Sequence, residues 1–75
     1  MFDHVSAASA AINILAFLGE EVESIMVRQI GNPVINWDIQ IRYFSGSSYR
    51  VTMSAEGHNL KMEEVKGLSL VKTVE

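Results

Sequence analysis

Between residues 34 and 55 the chain alternates. Ile35, Trp37, Ile39, Ile41 and Tyr43 are separated by Asn36, Asp38, Gln40 and Arg42. Beyond a Ser-Gly-Ser-Ser stretch, Tyr49, Val51, Met53 and Ala55 are separated by Arg50, Thr52 and Ser54. A period of two belongs to a strand with one buried face, so the segment predicts a hairpin. If Phe44, Ser45 and Gly46 form its loop, Gly46 supplies the positive φ of a type I turn with a G1 bulge. That loop sets Tyr43 opposite Ser47, Ile41 opposite Tyr49, Ile39 opposite Val51 and Trp37 opposite Met53. A register longer by two would set Arg42 against Arg50, which like-charge repulsion disfavours.

Residues 5–18 follow another rhythm. They carry no charge, and at 100° per residue Ser6, Ser9 and Asn13 fall on one narrow stripe. The rest is apolar and divides into two lobes. Val5, Ala8, Ile12 and Leu15 make one; Ala7, Ala10, Ile14, Phe17 and Leu18 make the other. Either would serve as a core face, so one lobe is left over. Asp3 or Ser6 can cap the helix start, and Gly19 suits its end.

Residues 20–30 fit a helix or a strand by period alone. Ile25-Met26-Val27 suits a sheet, and the hairpin needs a neighbour, so a strand is expected. The turn Gly31-Asn32-Pro33 follows. An even-length loop there puts Val22, Met26 and Arg28 on the face of Trp37 and Ile39, and Ile25 and Val27 on the polar face. Pro33 lacks an N–H, which argues against the tightest loop. Further on, Asn59 can cap a short helix over 60–66 with Gly67 after it, and 68–74 reads as a fourth strand with Leu68 and Leu70 inward. The expected fold is α+β, an N-terminal helix packed on a three- to four-stranded antiparallel sheet in the order α-β-β-β-short α-β. It makes a single small domain over 1–75.

Composition narrows the function classes. A 75-residue chain buries about 60% of its unfolded surface, so its stability margin is thin. There is no cysteine, which removes disulfides, thiol catalysis and cysteine-ligated metals. The apolar stretch at 5–18 is too short to span a bilayer as a helix. No Lys or Arg precedes it, Arg28 being the first, so no secretory leader or membrane association is expected and the cytoplasm is the default.

Chemistry is sparse. His58 has Glu56, Glu63 and Glu64 near it in sequence but no second His, so a solvated loop histidine is the plainer reading than a metal site. The acids Glu20, Glu21, Glu23, Glu63 and Glu64 read as solvated faces rather than acid–base pairs. No serine sits in a nucleophile elbow, and the Ser-Gly-Ser-Ser stretch is a hairpin loop, not a phosphate cradle. No catalytic residue, cofactor or metal is expected.

The order helix, three strands, short helix resembles that of double-stranded RNA-binding domains, in element order only. Those domains carry a basic run at the start of the last helix. Here the place reads Asn59-Leu60-Lys61-Met62-Glu63-Glu64, one Lys with two acids, so RNA binding does not carry over. Six Lys and Arg against nine Asp and Glu, net −3, also oppose a phosphate-binding surface. Trp37, Tyr43 and Tyr49 lie on the apolar face, where core packing outweighs base stacking.

The leading expectation is a small non-catalytic protein-interaction module that self-associates as a homo-oligomer, most simply a dimer. Its contact residues would be Ile14, Phe17, Leu18, Ile25 and Val27. A compact acidic inhibitor or adaptor of a larger protein, as small phage or mobile-element genes encode, is the first alternative. A weak nucleic-acid-binding domain is the second.

Overall fold

A computed structural model describes residues 1–65. The elements are α1 (His4–Ile14), a 3-10 turn (Ala16–Leu18), β1 (Val22–Ile30), β2 (Asn36–Tyr43), β3 (Ser48–Ser54) and β4 (Lys61–Glu64). The strands form one antiparallel sheet in the order β1-β2-β3-β4, with α1 against one face. The α+β class with an N-terminal helix on an antiparallel sheet is therefore as expected.

The β2–β3 hairpin has the predicted register, with Ile41 opposite Tyr49, Ile39 opposite Val51 and Trp37 opposite Met53. Gly46 sits at φ +101°, its N–H donates to Tyr43 O (2.9 Å), and Tyr43 N–H donates to Ser47 O (2.9 Å). Alternation then puts Trp37, Ile39, Ile41, Tyr43, Val51 and Met53 on the helix side, all buried.

Asp3 caps α1, accepting from Ser6 N–H at 3.0 Å. That bond holds the Asp3 carboxyl below the usual aspartate range. The helix gives way to the 3-10 turn after Ile14, and Gly19 closes it in the left-handed region at φ +66°. The buried stripe is Ala7, Ala11 and Leu15, which runs between the two predicted lobes rather than along either. Ala10, Ile14 and Leu18 flank it against the core. Alanines leave the helix backbone close to the sheet, and the larger side chains flank that line of approach.

Two expectations are corrected. The short helix over 60–66 is absent: Lys61–Glu64 form β4, pairing Thr52 with Lys61, Val51 with Met62, Arg50 with Glu63 and Tyr49 with Glu64. Asn59 stands in the left-handed region at φ +55°, a turn conformation that cannot cap a helix start. The element order therefore departs from that of the double-stranded RNA-binding domains. The strand expected at 68–74 lies outside the described residues.

The second correction is the facing of β1. Residues 31–35 make a five-residue, odd-length loop, so Ile30 pairs with Asn36, Gln29 with Trp37, Val27 with Ile39 and Ile25 with Ile41. Ile25 and Val27 thus lie on the helix side, and Met26 and Arg28 on the open face. A register shift between Val22 and Ser24 returns Val22 to the helix side, opposite Tyr43. The expected row of Met26, Trp37 and Met53 does not form.

Candidate interaction surface

The five predicted contact residues fall at three places in the fold. Ile14 and Leu18 are partly buried and pack against the core. Phe17 is 69% exposed on the 3-10 turn. Val5, 75% exposed, and Ile12, 40% exposed, are large apolar side chains of α1 that also face solvent. Ile25 and Val27 lie on β1, at the rim of the sheet.

β1 is nine residues long and contains no buried side chain. Ile25 and Val27 lie on the helix side, only partly covered, while Met26, 63% exposed, and Ile30 occupy the open face. Among the described residues no strand pairs with its outer edge. The direction of its backbone groups follows from the two ends of the ladder. Phe44 N–H donates to Glu21 O (3.0 Å), and Ile35 N–H donates to Ile30 O (2.8 Å). Alternation between these ends aims the backbone of Ser24, Met26, Arg28 and Ile30 at β2. The N–H and C=O groups of Ile25, Val27 and Gln29 therefore point away from the sheet.

Polar chemistry concentrates on the open face. Asp38 sits between two arginines, with Arg28 Nη2 at 3.1 Å from Oδ2 and Arg50 Nε at 3.2 Å from Oδ1. The first is a hydrogen-bonded pair; the second is an ion pair without hydrogen-bond alignment. Asp38 is 14% exposed and Arg28 64%, so the carboxylate is held firmly and the Arg28 side chain loosely. One carboxylate against two guanidinium groups leaves a single net positive charge in the cluster, too little for a phosphate track. A shallow depression of about 300 Å³ lies beside Met26, Gln40, Arg42, Ser48 and Val65. Among the described residues no three His, Cys, Asp or Glu side chains converge to hold a metal, and no helix is long and apolar enough to cross a membrane.

Phe17 and Phe44 are exposed, whereas the three aromatic residues weighed for base stacking, Trp37, Tyr43 and Tyr49, turn toward the core. Trp37 and Tyr43 are buried, and Tyr49 is half-buried with its ring 6.0 Å from that of Tyr43. None of these three presents an open ring face for a base to stack on. Sequence reasoning missed Met26 and Ile30 as exposed apolar side chains, since it assigned β1 the opposite facing. Pro33 argued against the tightest loop, but the odd length of the 31–35 loop is what reverses the facing, and the proline does not fix that parity. Comparison of the chain with protein-family models, curated proteins and solved structures returns no significant match.

Proposed function

We propose that this chain is a small, non-catalytic protein-interaction module that self-associates. One observation carries the reading: a nine-residue strand at the sheet rim, apolar on both faces, with no residue buried. Soluble sheets usually protect such an edge with charge, proline or a very short strand. β1 has a bulge and Glu23 at its start, but from Ser24 to Ile30 its sole charge is Arg28, on the open face and paired with Asp38. A strand with this profile gains most from a neighbour.

Light scattering across a concentration series tests the reading. The expected result is a mass approaching twice the 8.3 kDa of the chain as concentration rises. A constant 8.3 kDa up to millimolar concentration would overturn it.

A further inference from the structure

We infer that the partner on the β1 edge is a second copy of the chain, paired antiparallel about a two-fold axis through Val27. The inference rests on the self-association reading and adds the surface, the register and the relative orientation of the two copies.

The backbone decides the kind of contact. Ile25, Val27 and Gln29 each direct one N–H and one C=O outward, a spacing that matches another strand. Symmetry then decides the register. A two-fold axis perpendicular to the sheet keeps both helices on one side and pairs strands antiparallel. Centred on Val27, it sets Val27 opposite Val27 of the second copy, and Ile25 opposite Gln29. Every outward N–H of the three residues then meets an outward C=O. A centre at Met26 matches Ile25 with Val27 but sets Gln29 against Glu23, at the irregularity in β1. A centre at Ile25 matches fewer groups still.

Side chains agree with the Val27 centre. On the open face Met26 falls opposite Arg28 of the second copy, and Ser24 opposite Ile30. No charge meets a like charge, and the Met26 side chain lies along an arginine stem. On the helix side, Ile25 and the central pair of Val27 side chains, only partly covered now, would lie between the two copies of α1. The two four-stranded sheets become one continuous sheet, and the open edges of both copies of β1 disappear.

The absence of cysteine makes the test clean. Directly paired residues in antiparallel strands lie about 5.5 Å apart at Cα, within disulfide reach. Val27→Cys is expected to oxidise to a covalent dimer, whereas Phe17→Cys is not. Met26→Glu, which puts a carboxylate opposite Arg28 of the second copy, should tighten dimerisation by about fivefold, and Met26→Lys should weaken it by about as much. Both changes fall on an exposed side chain, which keeps the fold out of the comparison. If the wild-type chain is dimeric but Phe17→Cys cross-links and Val27→Cys does not, edge pairing is overturned and self-association stands. Equal effects of the two Met26 variants would overturn the register. A chain monomeric at every concentration removes both proposals.

Discussion

β1 and β2 are neighbours of nearly equal length, and the fold treats them in opposite ways. β2 places Trp37, Ile39, Ile41 and Tyr43 out of solvent; β1, one residue longer, buries nothing. Apolar content does not explain the contrast, since β1 carries Val22, Ile25, Met26, Val27 and Ile30. Position does. β2 has a strand on each side and α1 above it, whereas β1 has one neighbour and partial cover. The same apolar side chain is core in one strand and unsatisfied surface in the next.

The largest test of that contrast compares two isoleucines on the helix side of neighbouring strands, Ile39 and the diagonal Ile25, which pairs with Ile41. Ile39→Ala removes a side chain with no exposure and should cost about 2–5 kcal/mol in urea unfolding. Ile25→Ala, on a strand that buries nothing, should cost no more than about 1 kcal/mol. Equal costs would mean that β1 is core after all.

A smaller effect concerns what ties the two strands together on the open face. Asp38→Asn withdraws the charge shared by Arg28 and Arg50, for an expected loss of about 1 kcal/mol, or roughly 4–8 °C in Tm. Arg28→Ala should cost less, because its side chain is mostly solvated and Arg50 still holds Asp38. If Arg28→Ala proves the more damaging, the tie runs through β1 and not through the centre of the sheet.

The smallest effect is visible only at high pH. Burial, then the nearby charge of Glu20, pushes the Tyr43 phenol above its ordinary 10.0. The folded state thus resists losing that proton. The associated stability is complete below pH 10 and declines as pH rises through the higher value of the folded state. Tyr43→Phe should flatten the alkaline arm of the Tm–pH curve while leaving neutral pH nearly unchanged; an identical alkaline arm would show that the phenol is not enclosed.

How much of this was legible in the sequence follows the same contrast. The β2–β3 hairpin could be read to the residue because strict alternation and Gly46 point to one register. The facing of β1 could not, because both parities of 22–30 are apolar and the length of the 31–35 loop decides between them. Lys61–Glu64 has the composition of a helix, yet the unpaired edge of β3 offers its backbone a ladder, and tertiary context overrode propensity. On α1 the two lobes were nearly equal, so the sheet selected the alanine line between them. Ile25 and Val27 were singled out for a polar face they do not occupy. They matter because their backbone faces outward at the rim, a property set by ladder phase and absent from any hydropathy pattern.

The junction of the N-terminus with β2 has an optical consequence. Trp37 is the chain's single tryptophan, its indole N–H bonded to Ala55 O at 3.0 Å. The Phe2 ring, just before the Asp3 cap, stands 6.4 Å from it, and the ring of His4, the first residue of α1, stands 4.9 Å away. Phe2 also lies over Gly57, where a Cβ would meet its ring. The emission of one indole therefore reports whether the helix is docked on its sheet, so the undocking of α1 can be followed in unlabelled protein apart from the melting of the strands.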